Sequence, residues 1–221
     1  MEGVSNLMKN KFGDIRFMQH VDNSPLIKAN PGEMDSYYKI ARHYGWALGK
    51  LFEDQNVPWV IVLEDDLEVA PDLFHYFAAG AELMRQDPTL WTVTAWNDNG
   101  LPHLVQDPET VYRSDFFAGL GWIMTRELWS ELGPKWPKAY WDDWMREPPQ
   151  RKGRSCLRPE VPRTVTFGQI GSSQGQFFAS HLSKMKLNTK LIDFTSRDMS
   201  YLLKSNYDPP FLKRVAAAPV V

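Results

Sequence analysis

The sequence predicts an α/β fold, a mixed and mainly parallel sheet covered by helices, and three observations carry that reading. Four aliphatic residues, Val60-Ile61-Val62-Leu63, run directly into three carboxylates, Glu64-Asp65-Asp66. A short apolar run of this kind reads as a buried strand of a parallel sheet. Residues 34–54 carry apolar side chains at helical spacing, and strand-like and helix-like segments alternate from there to residue 95.

Taken in order, residues 13–18 predict a short strand and Asn23–Gly32 a loop with two prolines and a glycine. A helix follows over Met34–Asp54, with Tyr37, Ile40, Ala41, Tyr44, Leu48, Leu51 and Phe52 as its buried stripe. Pro58 introduces the strand at 59–63. Pro71 suits a first helical position; Leu73, Phe74, Phe77, Ala81 and Met84 form the apolar face, and Asp87-Pro88 ends the helix. Residues 90–95 read as a strand, Asn97-Asp98-Asn99-Gly100 as a turn and 101–113 as an irregular loop. Phe116–Met124 is apolar, but Gly119 and Gly121 interrupt it, which lets backbone approach a ligand. Thr125 is an N-cap for a helix through Leu132. The proline-rich stretch 133–163 holds one helical turn, at Tyr140–Arg146. A strand at Thr164–Phe167, a small-residue loop at Gly168–Gly175 and a helix over Gln174–Met185 complete the fold. The tail from Asp208 has no core role.

At 221 residues the chain forms one domain with a sizeable core. A net charge of −2 argues against a nucleic-acid partner, which needs a clustered basic surface. The densest basic segment, Arg146–Arg163, suits a loop that meets a phosphorylated small molecule. A single cysteine, Cys156, excludes an intramolecular disulfide and a multi-cysteine zinc site. No run of about 18 apolar residues predicts a membrane span.

Four constellations bear on chemistry. Three acids at a strand end repel one another unless they share a cation, and oxygen ligands suit a hard divalent ion; an acidic turn that opens a helix is the plainer alternative. In Trp141-Asp142-Asp143-Trp144 an acid held against indoles would be desolvated and a better base, while acids facing solvent beside packing tryptophans is the alternative. The loop Gly168–Gly175 offers backbone N–H groups to an anion at a helix start, or is only a flexible turn. His43 lies on the helix before the acidic strand, where a lone histidine is usually structural or exposed. Divalent metal, an anionic group and a general base fit phosphoester hydrolysis, phosphoryl transfer or sugar transfer from a nucleotide.

Longer motifs narrow the choice. Tyr38–Tyr44, Glu64–Asp72, Ala95–Gly100, Asp115–Phe117 with Gly119–Trp122, Pro134–Trp144 and Gly175–Phe178 resemble the N-acetylglucosaminyltransferase I family, in the same order from about residue 36 to 212. The resemblance implies a GT-A type glycosyltransferase fold, with residues 1–221 as a single partial catalytic domain. The family's N-terminal βαβ portion, which carries its uridine-binding residues, is expected to be missing, as are its anchor, stem and C-terminal portion. It implies inverting transfer of GlcNAc from UDP-GlcNAc to a mannose of an N-glycan core. Asp66 maps to the family's Mn²⁺ ligand and Asp142 to its general base. Glu64 and Asp65 map to acids facing the donor, His43 and Ser173 to donor-binding residues, and Leu120 and Trp141 to the donor pocket. Arg154 maps to a residue stabilising the active-site loop. The setting it implies is the lumenal side of the Golgi membrane. Transfer to O-linked mannose, or a catalytically dead sugar- or nucleotide-binding fragment, are the alternative functions.

Overall fold

The structure, a computed structural model, describes residues 2–171 and 174–219. Helix α1 covers Glu2–Lys11, where the sequence showed no element, and residues 12–33 are irregular, so the strand expected at 13–18 does not form. Its backbone enters a turn instead: the N–H of Ile15 donates to the Phe12 carbonyl at 2.8 Å. Helix α2, Asp35–Gly49, runs on into a π-helical turn over Lys50–Asp54, and its buried stripe is Tyr38, Ala41, Tyr44, Leu48 and, beyond it, Phe52.

Strand β1 is Trp59–Val62, β2 Leu67–Val69, β3 Leu90–Val93, β4 Val111–Ser114, β5 Trp122–Thr125, β6 Ser155–Pro159 and β7 Thr164–Thr166. Helix α3, Leu73–Gln86, lies between β2 and β3, and α4, Arg126–Leu132, follows β5. Thr125 caps α4 as its sequence position predicts, its hydroxyl accepting from the Leu128 N–H at 3.2 Å. Helices α5, Trp141–Arg146, and α6, Pro148–Arg151, precede β6; α7, Lys204–Ala217, closes the chain, and its exposed residues beyond Asp208 play no part in the core.

The sheet corrects the sequence reading. Only β3 and β6 pair in parallel; β1–β5, β4–β6 and β2–β7 are antiparallel. A bridge from Thr94 to Trp122 joins the β1–β5 pair to β3, giving the run β1, β5, β3, β6, β4. The fully buried strand is β3, not β1. Every residue of Leu90–Val93 is buried, whereas β1 is half-buried and hydrogen-bonded along one edge among the described strands. An aliphatic run marks a strand; only the neighbours decide its place in the sheet. Strand β6 lacked a sequence signal because arginines and prolines surround its five residues.

Side-chain alternation splits the core between two faces. Trp91, Trp122, Met124 and Cys156 point to one side, with α2, α4 and α5. Val93, Val111, Ile123 and Leu157 point to the other, with α3, Ile192, Phe194 and Tyr207. The expected helical covering of a central sheet is therefore present. Thr92 faces Cys156 across β3–β6, and its hydroxyl donates to the Ile123 carbonyl at 2.8 Å.

One further expectation fails. Residues 174–181 form turns, followed by a 3₁₀ turn at Leu182–Lys184, in place of a helix over 174–185. Gln174 and Gly175 have φ of +54° and +73°, a left-handed start from which a right-handed helix does not propagate. Gly119 and Gly121 make room for protein: Trp141 packs over the first, and Thr164 and Ala95 over the second.

Candidate active site

The acidic triplet occupies the turn between β1 and β2. Its three members differ because the surrounding elements reach them differently. Glu64 is half-buried against α2, where the Tyr44 hydroxyl donates to Oε1 at 2.7 Å. Burial first, then the negative charges of Asp66, Asp65 and Asp142, push the Glu64 carboxyl above its usual range. The Tyr44 hydroxyl is likewise pushed up, chiefly by burial and next by Glu64. Asp65 is exposed. Asp66 turns back toward β7, where Thr166 Oγ1 donates to its Oδ2 at 3.0 Å. The same hydroxyl accepts the Gly168 N–H at 3.1 Å. Gly168 lies so close that an added β-carbon would overlap the Asp66 carboxylate.

The other carboxylate oxygen of Asp66, Oδ1, is buried and has no hydrogen-bond partner among the described residues. A buried anionic oxygen without a partner is costly, and a divalent cation is the kind of group that relieves it. Among the described residues no set of three or more His, Cys, Asp or Glu side chains closes on one metal ion. The donor set therefore fits a cation held by one protein oxygen and shared with an anionic ligand, as oxygen-loving divalent ions are held beside phosphates.

Asp142 lies on α5, anchored by its neighbour. Trp141 is 6% exposed. It stacks on Tyr44 with ring centroids 4.3 Å apart and on Trp122 at 5.6 Å. Tyr140, at φ +50°, turns the chain into the helix. Desolvation of Asp142 by indoles, expected from the sequence, is not found. Its side chain is 39% exposed and ion-paired with Arg146 at 3.2 Å, while the exposed Asp143 shares the same guanidinium at 2.6 Å. Arg146 is itself fixed, donating through Nε to the Phe117 carbonyl at 3.0 Å and stacking over Phe116 at 4.6 Å. The arrangement holds the carboxylate at the rim of a cavity in a set orientation.

Two clefts meet at the triplet. One, of about 790 Å³, runs along β1 and α2 and is lined by His43, Tyr44, Glu64, Asp65 and Asp66. The second, of about 340 Å³, contains Glu64 and Asp66 on one wall and Leu120, Trp141 and Asp142 on another. Gly168 and Gly171 line both, so the loop after β7 stands over the junction. Asp66 and Asp142, far apart in sequence, face one cavity.

The structure thus brings together Glu64, Asp66, Leu120, Trp141 and Asp142, with Asp65 and His43 in the adjoining cleft. His43 is exposed, its Nδ1 3.3 Å from Nδ1 of His20, and burial and the neighbouring His20 hold its pKa down. Ser173 lies outside the described residues. Arg154 is remote from the acids: it pairs with Glu131 at 3.1 Å, lies over Trp91 and donates to the Gln150 and Arg151 carbonyls, tying down the end of α6. Sequence reasoning missed Thr166 and Arg146, which hold the two aspartates. It also placed Tyr44 in the core without its link to Glu64. No local pattern marks Thr166, which is 100 residues from Asp66; Arg146 is four residues from Asp142, a spacing that a helical reading of residues 140–146 could have found.

Comparison with known proteins decides the family. The model of the GNT-I family matches residues 2–221. The chain belongs to the GNT-I family. This match begins well ahead of Tyr38, so the family relationship is not confined to residues 36–212. The chain is 50% identical over 213 residues to the alpha-1,3-mannosyl-glycoprotein 2-beta-N-acetylglucosaminyltransferase of Arabidopsis thaliana. That alignment takes in 95% of this chain and 48% of the relative, so the chain spans about half the length of the curated GNT-I protein it matches.

Proposed function

We propose that this GNT-I chain is the acid-bearing part of a GT-A type glycosyltransferase that transfers GlcNAc from UDP-GlcNAc to a mannose 2-hydroxyl of an N-glycan core. The observation that carries the reading is one cavity faced by both the partner-less Asp66 oxygen and Asp142, in a chain half identical to a named N-acetylglucosaminyltransferase. Asp66 would hold Mn²⁺, which when bound neutralises charge on the diphosphate of the donor. Thr166 and Gly168 keep the Asp66 carboxylate turned toward the cavity. His43, Glu64, Asp65, Leu120 and Trp141 would line the donor, and Ser173 belongs to the loop that would close over it and exclude water.

In this scheme the mannose oxygen attacks the anomeric carbon from the face opposite the diphosphate. The new C–O bond forms as the bond to the phosphate oxygen breaks, so the configuration inverts. The hydroxyl proton passes to Asp142. Arg146 orients that carboxylate through a charged contact from the same helix, and the transition state is oxocarbenium-like, as in glycoside cleavage.

The ion pair that holds Asp142 against Arg146 at 3.2 Å favours a second reading, a module that binds nucleotide sugar without turning it over. Among the described strands β1 pairs only with β5, so its other edge is open to a further strand. The setting we infer is the lumenal side of the Golgi membrane; among the described residues no helix is long and apolar enough to cross a membrane.

Calorimetry and transfer assays test the scheme. UDP binds in Mn²⁺, and Asp66→Ala abolishes that binding. Asp142→Asn retains binding while turnover falls by roughly 10²–10⁴-fold, the usual contribution of a general base. Undetectable UDP binding by the wild-type chain in Mn²⁺ would falsify the transferase reading. Binding without turnover would leave the module reading. Turnover on an O-mannosyl peptide but not on an oligomannose glycan would move the acceptor to O-linked mannose.

A further inference from the structure

A third cavity of about 320 Å³ adjoins the site. It shares Trp96, Asp98 and Ala118 with the cavity of Asp142, so the two are continuous. Its remaining polar lining is Asn99, Ser114, Arg158 and Asn97, the last with its side chain engaged by the Glu160 carbonyl and the Asn99 N–H, and its wall includes the ring of Phe116, 46% exposed. Phe116 is also the ring on which Arg146 stacks, which places this wall one side chain from Asp142.

Arg158 is the unusual member. Among the described residues its guanidinium has no hydrogen-bonded or ion-paired partner; its one close contact is the Tyr112 ring at 5.0 Å. Five N–H donors are thus left for something in the cavity. Across from them stands the Asp98 carboxylate, held by the Trp96 indole N–H at 3.1 Å. One cation and one anion leave the cavity without net charge. A cavity lined by a guanidinium, a carboxylate, an amide and a hydroxyl, with one open aromatic face, suits a neutral ligand. Such a ligand would be rich in hydroxyls and present a C–H surface to the ring, which describes a sugar residue.

We propose that this cavity is a glycan subsite, holding a sugar unit next to the mannose that reacts, with Arg158 as the residue that discriminates an extended acceptor from a single mannose. The proposal rests on the acceptor side of the function given above. Calorimetric or saturation-transfer titrations of the whole chain with a branched mannose trisaccharide and with methyl α-mannoside test it. The wild-type chain binds the trisaccharide more tightly. Arg158→Ala lowers trisaccharide affinity by about tenfold, the cost of losing a charged hydrogen bond, and leaves methyl mannoside and Mn²⁺–UDP binding unchanged. Arg158→Lys, which keeps the charge, recovers part of the loss.

Equal weakening of both sugars in Arg158→Ala overturns the subsite, as does no weakening, or no preference in the wild-type chain. Arg158-dependent preference for the peptide part of an O-mannosyl peptide overturns it in favour of a peptide groove. Absent UDP binding with the trisaccharide preference intact would sink the transferase reading alone.

Discussion

Glu64 shows how a single residue registers the whole site. Its carboxyl is raised by burial and by three nearby carboxylates, so the folded protein holds its proton more tightly than the unfolded chain does. The sign follows from linkage. Below about pH 4.5, the ordinary value, the group is protonated in both states and its contribution is fully present; as pH rises through the folded-state value, that contribution is lost. We expect Glu64→Gln to leave thermal stability near wild type in metal-free acid and to exceed wild type at neutral pH, because the amide still accepts from Tyr44 without burying charge. Melting curves across that range check it, and a constant gap at all pH values would refute it. At Thr166 the expected effect is on ligand affinity. Thr166→Val removes the hydroxyl that fixes Asp66 and should weaken Mn²⁺-dependent UDP binding by roughly 10–100-fold, the scale for residues that orient a metal ligand. Unchanged affinity would mean that the hydroxyl is dispensable.

At the scale of elements, α5 is only six residues long, too short to hold itself together without packing. Trp141 does that work, filling the space between Tyr44, Trp122 and the backbone of Gly119. Trp141→Ala should cost about 3–5 kcal/mol and lower the melting temperature on the order of 10 °C. Asp142→Asn, at the half-open position one residue on, should scarcely move it. Calorimetric scans of the two variants separate anchor from chemistry, and similar melting temperatures would show that α5 is held by something other than the indole. The tryptophan-flanked acid pair was legible as a motif. Its environment was not, because the way α5 sits, and with it the exposure of Asp142, is set by Trp141 packing on Tyr44 and Trp122, which are distant in the chain.

Across the whole molecule, the fully buried pair Arg163–Asp72, at 2.9 Å, ties the start of α3 to the segment between β6 and β7. Arg163 also donates to the carbonyls of Val161 and Pro108 and lies against the rings of Tyr76 and Phe194. The acidic turn and Thr166 flank the two ends of this tie, so it sets how β2 and β7 meet. Asp72→Ala should cost about 3–5 kcal/mol, since it strands a buried cation, and Asp72→Leu combined with Arg163→Met should recover most of that. Urea unfolding measures both. A double variant as unstable as the single one would place the contribution in the arginine's carbonyl contacts instead.

The amino-acid sequence alone determined the helix stripe on α2, the N-cap at Thr125, the acidic turn after an aliphatic strand and the acid between indoles. Each is written in side-chain spacing over a few residues. Tertiary structure alone decided that β1 pairs antiparallel and lies half-exposed while β3 is the buried strand. It also decided that Asp66 meets Thr166, and that Asp66 and Asp142 face one cavity. Those outcomes depend on pairings between segments tens of residues apart. Burial, hydrogen-bond satisfaction and charge balance are settled only when distant groups meet, and no local spacing records them.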